Sequence, residues 1–376
     1  MVIVNISRHS SHALIVTPPD GPETCPPVQL VALPEAPMNT VIDQAANLLT
    51  ANQRRWQARE QDRQAVFDML AWCWQAITEP VMAALNHTET PQERIEDWPR
   101  VWWCPTGLAT VLPLHAAGQH PRTTIDYQKM GETAALADTV AGRVISSYTP
   151  TLTSLIRARA RPATSRVRQL AAGMPQAPAY AASAGPLPAV PAEFQAIGGY
   201  LPPPGHATWL LGPAATRHAV LEALPGHSWL HLSCHGFQHP ADAAQSAFLL
   251  HDQPLTLADL VALDLRETDL AYLAACQTAT GDIGLLDEAL HLAGGLQLTG
   301  YRHVLATLWS ISDTAAPAMA DITYAYLAHP DPGHPNPADQ LQADQAPFAL
   351  HHAVTHIRQT NPTEPLLWAP YIHLGP

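Results

Sequence analysis

Two short apolar runs, each stopping abruptly at a reactive side chain, do most to limit what this chain can fold into. Residues 229–236 read Trp-Leu-His-Leu-Ser-Cys-His-Gly, and residues 270–279 read Leu-Ala-Tyr-Leu-Ala-Ala-Cys-Gln-Thr-Ala. Runs this short, apolar throughout and followed at once by small or polar residues, have the pattern of parallel strands buried on both faces. The carboxyl end of such a strand is where an open α/β sheet carries its chemistry. His235 stands at the end of the first run and Cys276 at the end of the second. A cysteine nucleophile needs a base within hydrogen-bond reach, and two neighbouring strand ends supply that geometry.

Strand and helix signals alternate around these runs, which predicts an α/β fold with a mainly parallel sheet flanked by helices. Val2–Ser7 and Ala13–Thr17 read as a strand pair and Val28–Leu33 as a third strand, so the chain is expected to begin inside structure. Helices are predicted over 40–59 and 62–77, with Val66, Leu70, Cys73, Trp74 and Ile77 on one apolar face and Pro80 breaking or kinking the second. Arg100–Cys104 reads as a buried strand, Leu108–Leu114 as a second short run, Val144–Pro150 as a strand and Thr151–Ala160 as a helix. Beyond it, Arg166–Ala172 and His206–Leu211 read as strands, Glu193–Gly198 as the beginning of a helix, and Thr216 as the N-cap of a helix leading into the His235 strand. The Ala/Pro/Gly-rich stretch 173–191 reads as a flexible loop, either a processing or activation loop or a plain surface loop. After Cys276 the pattern gives a helix bearing Leu286, Leu290 and Leu296, a strand over His303–Trp309, helices over 313–327 and 348–358, and a closing strand at Tyr371–Leu374. A division near residue 160 follows, with 1–160 and 161–376 as two subdomains.

Composition narrows the function. Hydrophobic residues make up 47% and charged residues only 14% of the 376, so a sizeable core forms and general disorder is excluded. A net charge of −13 argues against nucleic acid as a direct partner; the exception is the arginine-bearing run 157–168, which reads as a solvated helix face or linker. Five widely spaced cysteines imply no disulfide framework and fit a reducing cytoplasm. No signal sequence and no membrane-spanning apolar run is present, so no membrane partner is expected.

The candidate chemistry centres on Cys276. A free thiol is mostly protonated at neutral pH, and a neighbouring imidazole together with a helix start favours the thiolate. His235 is the candidate base. Gly236 lets a bound carbonyl approach the backbone, and the N–H groups of Gly236 and Cys276 are the candidate oxyanion donors, each worth about 2.7–4 kcal/mol where such donors act. The plain alternative makes Cys276 a core residue. His231, Cys234, His235 and His239 also invite a metal reading, but strand alternation puts Cys234 on the opposite face from His231 and His235, and no zinc-type pairing is present. No metal or cofactor is therefore expected. Cys104 and His115 repeat the residue types in the first half; with Pro105 next and two tryptophans before it, Cys104 reads as a buried structural cysteine. Asp313 either reaches the same rim as His235 or caps the helix that starts at residue 314. Asp282, Asp287 and Glu288 read as helix-start acids.

His231-Leu-Ser-Cys-His-Gly236 and Ala274-Ala-Cys-Gln-Thr-Ala279 resemble the paired motifs of the CHAT family, caspase-like cysteine peptidases often joined to helical repeats. Ala274 stands where the family pattern has Ser. The resemblance extends through residues 103–116, 307–313 and 368–375 and covers nearly the whole chain. It implies a caspase-like fold in which the first half is a pseudo-caspase domain without the catalytic pair. It implies His235 as catalytic histidine and Cys276 as nucleophile, with the loop at Trp309 and Asp313 lining the substrate pocket; a carboxylate there would favour Arg or Lys. The expected activity is a cysteine endopeptidase acting on a specific protein, for example a gasdermin-like effector in bacterial defence, under an upstream sensor or activator. The alternative is a catalytically silent caspase-like scaffold.

Overall fold

A computed structural model describes all residues except 19–26, 55–58, 165, 202–205, 240–241, 264, 266, 275, 278–288 and 329–340; residues 276, 277 and 289–291 are described as backbone only. The acids Asp282, Asp287 and Glu288 and the first part of the helix predicted after Cys276, with Leu286, therefore lie outside the described residues. The chain divides into two compact units. Of the described residues, the first comprises those within 1–150 and 355–369, and the second those within 151–277, 289–354 and 370–376.

The first unit holds strands β1 (Val2–Ile6), β2 (Ser11–Val16), β3 (Val28–Ala32), β4 (Arg100–Pro105) and β5 (Ile145–Tyr148), in the order β3-β2-β1-β4-β5. β1 and β2 pair antiparallel, while β4 is parallel to both β1 and β5. In β2 every second residue is buried, the alternation expected of a strand with one face on the core. Helices α1 (Met38–Gln53) and α2 (Glu60–Cys73) pack on one another. Pro80 does not end the second helix. The chain widens into a π-helical turn at Trp74–Thr78 and runs on as α3 (Glu79–Ala84), a way to absorb a proline that cannot donate to the carbonyl four residues back. Leu108–Leu114 is not a strand but 3-10 structure over Gly107–Val111 and again over Leu114–Ala116. Two short helices follow, α4 (Thr124–Met130) and α5 (Glu132–Ala137).

In the second unit α6 (Leu152–Ala160) is N-capped by Thr151. Strands β6 (Gln169–Gly173), β7 (Ala207–Leu211) and β8 (Trp229–Ser233) lie with helices α7 (Val190–Gly198) and α8 (Arg217–Ala223) between them in sequence. Thr216 caps α8 as expected, accepting from the Ala219 N–H. A separate small sheet interrupts the pattern, made of β9 (His235–Phe237), β10 (Ala247–Leu249), β11 (Pro254–Thr256) and, after helix α9 (Leu257–Val261) and strand β12 (Leu270–Leu273), β13 (Cys276–Gln277). The chain continues through α10 (Ala289–Thr299), β14 (His303–Thr307), α11 (Ala316–Ala328), α12 (Ala346–Thr360), α13 (Pro365–Trp368) in the first unit, and β15 (Tyr371–Leu374).

The main sheet of the second unit runs β15-β14-β12-β8-β6-β7, parallel throughout except for β15. β6, β8, β12 and β14 are buried at every residue, and their sequences are mostly apolar, with Gln169, His231, Ser233, His303 and Thr307 as the polar exceptions. The fold is thus the mixed α/β class read from the sequence, with a mainly parallel sheet flanked by helices. At the amino ends of these strands, Arg302 pairs with Asp269 and Asp344, and His303 bonds both Asp344 and His373, which ties β14 and β15 at their base. The His303 and Arg302 contacts hold the Asp344 carboxyl at about 2 against the opposing effect of burial.

Candidate active site

His235 and Cys276 are brought side by side by the small sheet. The long strand β8 bends at Cys234, so His235 leaves the main sheet and opens β9. β12 likewise ends at Leu273 before Cys276 opens β13. β9 and β13 then pair in parallel, with Cys276 opposite His235 and Gln277 opposite Gly236. Paired strands lie about 4.8 Å apart, so the two backbone positions are cross-strand neighbours. The Cys276 side chain lies outside the described residues. Gly236 is flanked on its other side by Phe248 of β10.

The His235 ring is buried, at 6% exposure, and fixed by one bond: Nε2 lies 2.9 Å from the carbonyl oxygen of Gly185. A carbonyl only accepts, so Nε2 carries the hydrogen and Nδ1 holds the lone pair of the neutral ring. Nδ1 is buried and has no hydrogen-bond partner among the described residues. Gly185 presents its oxygen from a backbone with φ 81° and ψ 169°, a region open to glycine and strained for other residues.

Gly185 belongs to the stretch expected to be flexible, and that expectation is corrected. Residues 179–184 form a 3-10 helix, the Tyr180 hydroxyl donates to the Leu250 carbonyl, and Leu187 joins Ala171, Val190 and Phe194 in a buried cluster. α7 begins at Val190, three residues earlier than predicted.

Asp313 lies at the same rim. Its carboxylate accepts from the Ala189 N–H at 2.9 Å, and its carboxyl is raised chiefly by burial, with Glu193 adding to the rise while the Ala189 bond and His235 oppose it. The helix after it starts at Ala316, and the Asp313 bond goes to Ala189 rather than to that helix. Trp309 is buried at 4% exposure, and its indole nitrogen has no partner among the described residues. His231 is fully buried; its Nε2 is 3.0 Å from Glu193, and it stacks on Tyr272. No group of three or more His, Cys, Asp or Glu that could hold a metal occurs among the described residues.

The corresponding residues of the first unit do not form a couple. Cys104 is buried with its thiol on the Pro150 carbonyl at 3.5 Å, and burial raises its pKa. His115 Nδ1 is 2.9 Å from the Tyr148 hydroxyl.

The sequence model of the CHAT domain matches residues 68–376. The chain belongs to the CHAT domain family. No curated protein matches the sequence. Among solved structures, the Saccharomyces cerevisiae separase–securin complex resembles this CHAT chain with a TM-score of 0.62 at 9% identity, covering 100% of this chain and 29% of that one. The complex of the Porphyromonas gingivalis RgpB pro- and mature domains gives a TM-score of 0.45 at 12% identity, covering 80% of this chain and 69% of that one. The Arg-specific cysteine proteinase gingipain R gives 0.47 at 10% identity, covering 80% and 68%. The separase likeness supports a shared caspase-like fold, and the CHAT chain spans less than a third of that chain's length.

Three contributors to the rim were absent from the sequence reading: the Gly185 carbonyl, the Ala189 amide and Glu193. The first two act through the backbone, where residue type carries little signal. The one available cue was the Ala-Gly-Pro turn at 184–186. Among the described residues no helix is long and apolar enough to cross a membrane.

Proposed function

We propose that this CHAT domain is a cysteine endopeptidase in which Cys276 attacks the scissile carbonyl and His235 is its base. The observation that carries the reading is the parallel register of β9 and β13, which pairs Cys276 with His235 while Gly185 fixes Nε2–H and leaves Nδ1 as the basic atom. In this reading Nδ1 takes the thiol proton, and the Gly185 carbonyl stabilises the imidazolium through the opposite nitrogen. The thiolate adds to the substrate carbonyl, the Gly236 and Cys276 N–H groups receive the developing oxyanion, and the imidazolium returns its proton to the leaving amine. Water then attacks the acyl-enzyme with the same base.

Asp313 and the Trp309 loop line the pocket for the residue before the cut, and that residue is basic. A half-buried carboxylate with a single backbone donor has capacity for a cationic partner, and a guanidinium or ammonium would supply it. The first unit serves as the inactive counterpart of the second. The substrate is a specific protein, with a gasdermin-like effector in bacterial defence as the example to test, and cutting is set off by an upstream sensor or activator.

Purified chain incubated with a proteome, followed by N-terminal peptide mapping, tests the activity. New amino termini preceded by Arg or Lys, absent with Cys276→Ala, support the reading. Unchanged termini with wild type in the presence of any candidate activator favour a silent scaffold instead.

A further inference from the structure

We infer that Glu193 is a positioning residue for His235, acting through Ser233 and the segment 185–193 rather than by contact with the reacting atoms. The inference rests on the proposed Cys276–His235 couple. Its basis is a carboxylate in a place where carboxylates are costly. Glu193 is 1% exposed, in the first turns of α7, and faces the end of β8. One of its oxygens lies 3.0 Å from His231 Nε2 and the other accepts from the Ser233 hydroxyl at 2.5 Å. His231 and Ser233 are themselves buried, and His231 Nδ1 continues the network to the Tyr324 hydroxyl. A purely structural core would fill this space with apolar groups at lower cost, because a buried carboxylate is tolerated only when its partners are in place.

The same short segment makes three attachments within nine residues. The Gly185 carbonyl holds His235 Nε2, the Ala189 amide holds Asp313, and Glu193 grips His231 and Ser233, two positions apart on the face of β8 that meets α7. Ser233 is also two residues before His235, just ahead of the bend at which the histidine leaves the main sheet. Its own carbonyl accepts from the Met174 N–H, where the segment leaves β6. Glu193 therefore clamps the support of the Gly185 carbonyl to the strand that carries His235. With the clamp in place, the carbonyl and the ring are held at hydrogen-bond distance. Charge-assisted bonds of this kind are shorter and stronger than neutral ones and suit a fixed spacing. Catalysis is sensitive to sub-ångström errors in such supports.

The test compares wild type, Glu193→Gln and Ser233→Ala in the full chain. Three readouts are taken: kcat and KM on a basic peptide, the rate at which iodoacetamide alkylates Cys276, and the thermal midpoint. Iodoacetamide is small and needs no substrate pocket, so its rate reports the couple alone. Both variants are expected to keep KM within about twofold while kcat falls about tenfold or more, with alkylation slowed by a similar factor. Folded variants with wild-type kcat and alkylation, and only a lower thermal midpoint, would overturn the inference and leave Glu193 as a structural residue. Should Glu193→Gln fail to fold, Ser233→Ala decides, since it removes one bond and leaves the charge on its His231 partner. Failure of the couple itself looks different: wild-type Cys276 would then alkylate no faster than Cys276 in His235→Ala, and the inference would fall with it.

Discussion

The two units each place a cysteine at or beyond the end of a parallel strand and a histidine nearby in the fold, yet they treat the pair in opposite ways. In the first unit Cys104 closes on the Pro150 carbonyl, burial raises its pKa, and His115 is taken up by Tyr148. Each side chain has a partner that is not the other. In the second unit the strands bend away from the main sheet, and the backbone positions of His235 and Cys276 become cross-strand neighbours. The histidine is fixed through one nitrogen only. The difference teaches that a strand-end cysteine and a histidine do not make a nucleophile. In the proposed function, the second unit differs by a short strand pairing that sets the two positions in register and by a polar contact that engages only one nitrogen of the histidine.

Substitutions that break this contrast should differ widely in effect. His235→Ala removes the proposed base and should lower kcat/KM about 10³-fold, with a thermal midpoint within a few degrees of wild type. Retention of a tenth of the activity would show that another group takes the proton.

Gly185→Ala tests the contact that fixes the ring. A Cβ at Gly185 meets nothing within 4 Å, so any effect comes from the positive φ and not from a clash. That conformation costs about 1–3 kcal/mol for alanine, and relaxing it moves the carbonyl off Nε2. We expect kcat to fall about 10- to 100-fold with KM little changed, measured by initial rates on one peptide across concentrations.

Asp313→Asn sharpens the substrate side of the comparison. It should cut kcat/KM about tenfold or more for Arg and Lys peptides while neutral peptides barely change, and Arg should suffer more than Lys because its planar fork loses a bidentate partner. Equal kinetics across a basic and neutral panel would remove Asp313 from the pocket.

Cys104→Ala should have the smallest effect on function. Activity is expected within twofold of wild type, and denaturant unfolding should show a loss of about 1–2 kcal/mol from the small cavity. Loss of activity in a fully folded variant would mean that the first unit is not catalytically silent.

Much of this arrangement is legible in the residues. β6, β8, β12 and β14 are buried on both faces, so their sequences are predominantly apolar, and the two reactive residues stand out just beyond the ends of β8 and β12. Thr216 marks a helix start because its hydroxyl satisfies an exposed amide that the helix cannot. The small sheet was not legible, because its strands are two or three residues long and too short for an alternating pattern to develop. Yet that sheet is what aligns His235 with Cys276. The stretch 173–191 has the composition of a loose loop, but its order comes from Leu187 and Tyr180 meeting distant residues, and such long-range contacts leave no local signal. The run 108–114, read only as a second short run, is mostly apolar and shows no clear type; Gly107 at φ 54° before it and Pro113 within it go with its 3-10 structure. Glu193 read simply as the start of a helix, since nothing local shows that its side chain turns inward to β8.

The central claim, that the second unit holds a working Cys–His couple and the first does not, is tested most directly by a thiol-reactive peptidyl probe with a basic residue before its warhead, followed by mapping of the labelled peptide. Label is expected on Cys276 alone, lost in His235→Ala and undiminished in Cys104→Ala. Label on Cys104, or equal labelling of Cys276 with and without His235, would contradict it.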